Sequence, residues 1–142
     1  MRAADWLREI ERTHVQIELL KAELDACYAS INLLPGVSFD GVNVQTSSND
    51  SHVLALIEEA TDKYNRLRDM IAEYEKQRAA AFAVVIGMDN RAYMRVLYLR
   101  YFSRLTWNEI AEAMGFKRDT KRAHQIHREA MAELDRVMGG EG

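Results

Sequence analysis

The chain has 142 residues, of which 48% are hydrophobic and 29% are charged, a balance that excludes wholesale disorder. The single cysteine, Cys27, excludes an internal disulfide. No apolar run approaches the roughly 20 residues that a membrane span needs, so we expect a cytoplasmic protein that does not enter a membrane. One proline and seven glycines leave long stretches without a helix breaker, and this predicts an all-α fold.

The net charge of −3 is unevenly distributed along the chain. Residues 1–90 carry −6 and residues 129–142 carry −3, whereas residues 91–128 carry +6 from nine basic and three acidic residues. A basic segment within an acidic chain suits contact with a polyanion such as nucleic acid, although a merely solvated basic surface would have the same composition.

The first predicted element is an amphipathic helix over about residues 3–34, which Pro35 and Gly36 end. Its apolar positions alternate in steps of three and four residues, as in the seam of a coiled coil, and Thr13 fills the one polar position. The apolar positions are Trp6, Ile10, Ile17, Leu20, Leu24, Cys27, Ile31 and Leu34. We interpret Trp6 as a core residue or a dimer contact.

A polar loop is predicted over residues 35–52, in which Val37, Phe39, Val42 and Val44 could pair as short extended pieces. A second long helix follows and ends near residue 88, with the same alternation of apolar positions. Its N-cap candidates are Ser48, Asn49, Asp50 and Ser51, and its stripe, interrupted at Arg78, is Val53, Ile57, Ala60, Tyr64, Leu67, Ile71, Tyr74, Ala81, Val85 and Met88.

Two such helices most simply form a long, coiled-coil-like antiparallel hairpin over residues 1–88, in which each stripe covers the other. Tyr64 and Tyr74 are predicted to pack in this seam. A thin hairpin buries little surface on its own, so we expect the C-terminal part or a second subunit to cover it. The prediction is a homo-oligomer, most simply a dimer.

Residues 89–142 form a second predicted domain, with a break at residues 87–90 and helices over about residues 91–103, 107–114 and 120–138. Thr106 and Glu109 have the spacing of a capping box, in which each side chain bonds to the other residue's backbone N–H. Gly115 stands where a helix end needs a positive φ angle, and Phe116 is the apolar residue just beyond. Inward positions of these helices are Ile110, Ala111, Met114, Ala123, Ile126, Ala130 and Leu134.

This order of features predicts a helix-turn-helix whose second helix leaves its outer face free for a DNA major groove. The outer face carries Lys121, His124, Gln125 and Arg128, and arginine and glutamine can form paired hydrogen bonds with guanine and adenine. Lys117, Arg118 and Arg122 suit phosphate contacts. The alternative is an ordinary helical corner with solvated basic residues.

The stretch LYLRYFSRLTWNEIAEAMGF, followed by IHREAMAEL, resembles region 4 of bacterial sigma factors. The chain as a whole is similar to the RinA/ArpU-like family of phage-encoded late transcriptional activators, which combine two long helices with a sigma-like C-terminal domain. The resemblance implies a phage or prophage transcription regulator that binds specific sequences of double-stranded DNA. It implies that Lys121, Gln125 and Arg128 read bases, and that Arg100 and Tyr101 belong to the scaffold.

Two other functions remain open. The hairpin could dock on RNA polymerase or another assembly, which would make the chain a helical interaction protein, or the chain could be a phage DNA-packaging component similar to a terminase small subunit. The sequence has no glycine-rich phosphate loop and no Ser/His/Asp set on a rigid fold, so we predict no enzymatic activity and no cofactor. His124 and His127 lack a cysteine pair or a carboxylate cluster, so no metal site is predicted.

Overall fold

The computed structural model describes residues 2–33 and 50–139, and every regular element in these ranges is helical. The elements are α1 (Ala3–Asn32), α2 (Asp50–Ile86), α3 (Arg91–Leu97), a π-helical turn (Tyr98–Phe102), α4 (Trp107–Ala113) and α5 (Thr120–Gly139). The predicted all-α fold is therefore confirmed. None of the described helices combines the length and the apolar character of a membrane span.

Part of the predicted loop lies outside the described residues. This applies to the helix end expected at Leu34, Pro35 and Gly36, to the extended pieces expected at Val37, Phe39, Val42 and Val44, and to the cap candidates Ser48 and Asn49. The predicted break at residues 87–90 is confirmed, because α2 ends at Ile86 and Asn90 caps α3 by accepting a 3.1 Å hydrogen bond from the backbone N–H of Tyr93.

The chain divides into two compact units. We call Thr13–Tyr74 the two-helix unit, and Met1–Arg12 together with Glu75–Gly142 the composite unit. This division differs from a boundary at residue 88, because both long helices contribute turns to the composite unit. The backbone N–H of Ala3 donates a 2.6 Å hydrogen bond to Asp135 Oδ1 of α5.

The two-helix unit is held by the apolar seam between α1 and α2. Its buried residues are Leu24, Cys27 and Ile31 from α1, and Ala60 and Leu67 from α2. All five belong to the predicted stripes, so the periodicity of the sequence identified this core.

The contacts between α1 and α2 run in opposite chain directions. Lys63 Nζ lies 3.4 Å from Cys27 Sγ, whereas the His14 and Tyr74 rings, farther apart in the sequence, have centroids 5.4 Å apart. Within this unit the two helices are therefore antiparallel. Each covers only one side of its neighbour, which leaves positions beside the seam open.

The prediction that Tyr64 packs in the seam is wrong. Tyr64 is 52% exposed, because it flanks the seam rather than lying in it. In the composite unit the first turns of α1 bury Ala3 and Leu7, while Trp6 is only half-buried. These turns of α1 contact α5. The residues that they bury therefore differ from those that packing against α2 alone would bury.

The core of the composite unit is built from α3, α4 and α5 with the end of α2. The inward positions predicted in α4 and α5 are confirmed for the five residues that are fully buried, Ile110, Ala111, Ala123, Ala130 and Leu134. Val85, Val96 and Leu97 are also buried. Each large aliphatic side chain buried in this way contributes about 1.5–3 kcal/mol.

The helix predicted over residues 91–103 changes its winding at Tyr98. The backbone N–H of Ser103 donates to the carbonyl oxygen of Tyr98 at 3.0 Å, which is the wider spacing of a π-helix. The rings of Tyr98 and Phe102 stack with centroids 5.5 Å apart, and both meet Phe82 of α2 edge-on. The wider turn therefore coincides with a cluster of three aromatic rings.

Candidate nucleic-acid interface

The start of α4 is fixed by the predicted capping box. Thr106 N–H donates to Glu109 Oε1 at 2.9 Å, and Glu109 N–H donates to Thr106 Oγ1 at 3.2 Å. The hydrogen bond from the Thr106 backbone holds the pKa of the Glu109 carboxyl below its usual value. The predicted capping box is confirmed, and it satisfies two backbone donors that the helix itself leaves free.

The turn after α4 depends on Gly115, which has the predicted positive φ of 82°. Gly115 N–H donates to the carbonyl oxygen of Glu112 at 3.0 Å, and Phe116 N–H donates to that of Ala111 at 2.8 Å. These two bonds form a Schellman motif, the helix ending that favours glycine at this position. The chain therefore leaves α4 in a defined direction.

The basic run that follows belongs to an ordered turn. Lys117 also has a positive φ, of 57°, a conformation in which residues with a side chain are strained. Asp119 Oδ1 accepts a 3.2 Å hydrogen bond from the backbone N–H of Arg122 and so caps α5. Asp119 was not among the predicted caps, although an aspartate directly before a predicted helix start is a common N-cap signal.

Trp107 joins the start of α4 to α5 and to the preceding turn. Its ring centroid lies 3.9 Å from that of His124 and 5.1 Å from that of His127. On the same indole, the guanidinium carbon of Arg100 lies 4.7 Å from the ring centroid. His124 is therefore half-buried against Trp107, at the margin of the outer face of α5.

His127 is held as a neutral ring. Its Nε2 lies 2.7 Å from the hydroxyl of Tyr101. Burial, together with the nearby charge of Arg100, lowers the pKa of His127 to about 4. Burial raises the pKa of Tyr101. At neutral pH the hydroxyl and the uncharged ring therefore share one hydrogen bond, whose direction is set by the tautomer of the ring. His127 serves in packing rather than as a cation on the surface.

The segment before α4 is anchored by two arginines. Arg104 forms a bidentate ion pair with Glu11 of α1, at 2.7 and 2.9 Å. Arg100 Nη1 donates to the carbonyl oxygen of Leu105 at 3.1 Å. These contacts fit the scaffold role expected for Arg100, and they leave both side chains engaged within the composite unit.

The outer face of α5 and the turn before it form a surface that we call the basic face. Its members are exposed, and Lys121, Gln125 and Arg128 share one side of α5 because they are spaced by four and three residues. Gln125 Nε2 lies 3.4 Å from Glu129 Oε2. The basic face consists of Lys117, Arg118, Lys121, Arg122, Gln125 and Arg128.

None of the five cations of the basic face has a carboxylate partner in the part of the chain that the structure describes. No ion pair there involves Lys117, Arg118, Lys121 or Arg128. Arg122 lies over the Phe116 ring, with its guanidinium carbon 4.4 Å from the centroid. The face thus combines fixed backbone with positive charge that described residues do not neutralise.

The histidines of α5 contact aromatic residues of the composite unit. Among the described residues, no group of three or more His, Cys, Asp and Glu side chains is arranged to hold a metal ion.

Comparisons with protein-family models, with curated proteins and with solved structures found no match to this chain. A function for this chain therefore rests on the chemistry of the site itself.

Proposed function

We propose that the chain is a sequence-specific DNA-binding transcription regulator that places α5 in the major groove of double-stranded DNA. The observation that carries the proposal is the basic face, in which five exposed cations without ion-pair partners among the described residues project from α5 and the turn before it. Phosphates would supply the missing negative charge, and release of their counterions would favour binding.

Different members of the basic face have different roles in this proposal. Lys121, Gln125 and Arg128 lie on one side of α5 and contact base edges, where glutamine and arginine can each form paired hydrogen bonds. Lys117 and Arg118, in the turn, contact phosphates and set the register on the duplex. Arg122 extends the phosphate contacts, and His124 lies at the edge of the interface.

The packing of α5 supports this division of its surface. Ala123, Ala130 and Leu134 are fully buried, and the small alanines allow neighbouring helices to approach closely. Trp107 packs against the same helix through His124 and His127. With one side anchored in this way, the opposite side of α5 can enter a groove without unfolding the core.

The resemblance to sigma region 4 and to phage activators supports the same function and narrows the proposal. The target would be promoter DNA of phage or prophage genes, and RNA polymerase would be a protein partner. A homodimer is also part of the proposal, because Tyr64 and Ile71 of α2 are exposed beside the buried Leu67. Sedimentation of the full chain would test the dimer directly.

The main test is salt-dependent DNA binding by matched variants. Duplexes selected from random-sequence DNA by the full chain would serve as probes, with affinity measured between about 50 and 200 mM salt. We expect the double substitution Lys121→Ala and Arg128→Ala to weaken the free energy of DNA binding by about 1–3 kcal/mol for each base that the variant no longer recognises. Where the substituted residue binds phosphate instead, the slope of log affinity against log salt should become shallower by about 0.9.

Arg136→Ala is the matched control, since Arg136 is an exposed arginine of the same helix that already pairs with Glu133. It should leave affinity and salt slope nearly unchanged. Unchanged DNA binding by a folded double variant would contradict the proposed surface. Equal losses of affinity in the double variant and in Arg136→Ala would show that binding depends only on general charge attraction.

A further inference from the structure

Helix α1 carries a second apolar stripe in addition to the one that packs against α2. The members of this second stripe follow steps of four and three residues over the C-terminal two thirds of the helix, which is a heptad repeat. We call it the outer stripe. It consists of Val15, Leu19, Ala22, Ala26 and Ala29 of α1 and of Leu33, the residue directly after α1.

The outer stripe is exposed along its whole length. Val15 is 39%, Leu19 63% and Leu33 84% exposed, and the three alanines between them are exposed as well. The seam residues Leu24 and Cys27 are buried against α2. At about 100° of rotation per residue, the outer stripe lies on the side of α1 that faces away from this seam.

This composition is suited to another helix. A heptad repeat of apolar side chains matches the side-chain spacing of a helical partner, whereas it has no counterpart in a flat surface. Alanine at the central positions lets two backbones approach closely, and leucine at Leu19 and Leu33 supplies larger side chains that can insert between those of a partner. A continuous exposed row of this kind is more than the scattered apolar residues of an ordinary surface.

The charges beside the stripe indicate which partner would fit. The positions that flank a heptad seam decide pairing through their charges. Here they include three exposed acids and no lysine or arginine. Glu18 lies 3.1 Å from His14 and Glu23 lies 3.8 Å from Lys63 of α2, whereas no ion pair among the described residues involves Asp25. The six flanking residues along the stripe are Gln16, Glu18, Glu23, Asp25, Ser30 and Asn32.

A second copy of the chain bound through the same stripe would place these carboxylates next to each other, which is unfavourable. Nucleic acid is disfavoured for the same reason. We infer that the outer stripe is a docking surface for a helix of a partner protein, with an apolar seam of its own and lysine or arginine at the flanking positions. This inference does not depend on the proposed DNA binding.

The experiment uses the full chain and two designed helical peptides with the same apolar heptad seam, one with lysine and one with glutamate at the flanking positions. Binding would be measured by fluorescence anisotropy at low and high salt. We expect the lysine peptide to bind at least about tenfold more tightly than the glutamate peptide, and to lose this advantage as salt rises. Absence of binding, or equal binding of both peptides, would overturn the inference.

Two substitutions locate the binding to the outer stripe. Ala26→Lys places a long cation in the middle of the stripe and should weaken binding of the lysine peptide by at least about tenfold. Ala55→Lys introduces the same change at an exposed alanine of α2 and should have little effect. Circular dichroism would verify that both variants keep their helices, since both positions are exposed.

Sedimentation of the chain without peptide tests the competing possibility, that a second copy of the chain binds to the outer stripe. We expect Ala26→Lys and the unsubstituted chain to have the same mass. If the unsubstituted chain is an oligomer that Ala26→Lys dissociates while Ala55→Lys does not, the stripe is a contact between copies, and the inference of a basic partner is overturned.

Discussion

The two-helix unit and the composite unit have the same secondary structure but expose opposite kinds of surface. The two-helix unit has one seam, around Leu24 and Leu67, and leaves apolar side chains such as Leu19 in contact with solvent. The composite unit buries its large aliphatic residues more completely and presents cations, among them Lys121 and Arg128. The comparison shows that an all-α fold does not determine the binding chemistry, which depends on the residues that packing leaves outside.

A core substitution in each unit gives the largest expected effect. Leu134 is fully buried, so we expect Leu134→Ala to lower the free energy of unfolding by about 2–5 kcal/mol. Leu67→Ala should cost less, since Leu67 lines a groove open to solvent beside Tyr64 and Ile71, where neighbours can rearrange. Urea unfolding followed by circular dichroism would measure both changes in the free energy of unfolding. Equal changes would contradict the expectation that the composite unit buries its core residues more completely than the two-helix unit.

Acidification should weaken the composite unit through His127. Its pKa is about 4 in the folded chain and about 6.5 when exposed. The unfolded chain therefore binds the proton first, and stability falls as pH drops from about 6.5 toward 4. Between about pH 7 and pH 5, His127 should account for a loss of about 1 kcal/mol, after discounting for the part of the ring that solvent reaches.

His127→Gln is the comparison variant for this measurement, because glutamine does not titrate. Urea unfolding at both pH values would show a smaller difference for the variant than for the unsubstituted chain. Identical pH dependence in the two proteins would show that His127 is not the group responsible.

The smallest expected change in stability concerns the strained turn before α5. Lys117 has a positive φ, so Lys117→Gly removes backbone strain of about 1 kcal/mol, partly offset by the greater freedom of glycine in the unfolded chain. We expect stability to stay the same or to rise by up to about 1 kcal/mol, while DNA affinity falls because the cation that binds a phosphate has been removed.

Lys117→Asn provides an independent check, because asparagine also tolerates this conformation and lacks the charge. Thermal unfolding and DNA titration of both variants would separate the two effects. Full DNA affinity in either variant would remove Lys117 from the proposed interface.

Features that arise from neighbouring residues could be predicted from the sequence. The capping box needs only Thr106 and Glu109, three residues apart, and the turn needs only a glycine after the last helical position. The inward positions of α5 follow from helical periodicity, because Ala123, Ala130 and Leu134 recur on one side. The surface opposite to them, which includes most of the candidate site, follows from the same periodicity.

Features that depend on distant residues could not be predicted in this way. Arg104 and Glu11 are 93 positions apart, and nothing local to either residue indicates the other. The π-helical turn accompanies the contacts of Tyr98 with Phe82, which belongs to another helix. The heptad spacing of the outer stripe is present in the sequence, but three of its residues are alanines, which are only weakly hydrophobic. The structure was needed to show that these residues are exposed and that α1 packs against α2 through other residues.

The hydrogen bond between Ala3 and Asp135 has a consequence for how the chain reaches its final form. The ribosome releases the first turns of α1 early, whereas Asp135 follows 132 residues later. The composite unit therefore cannot close until α5 has emerged, and closure over such a separation in sequence is slow compared with pairing of near neighbours. In the interval, the buried side of Ala3 and Leu7 is accessible to chaperones and to other nascent chains.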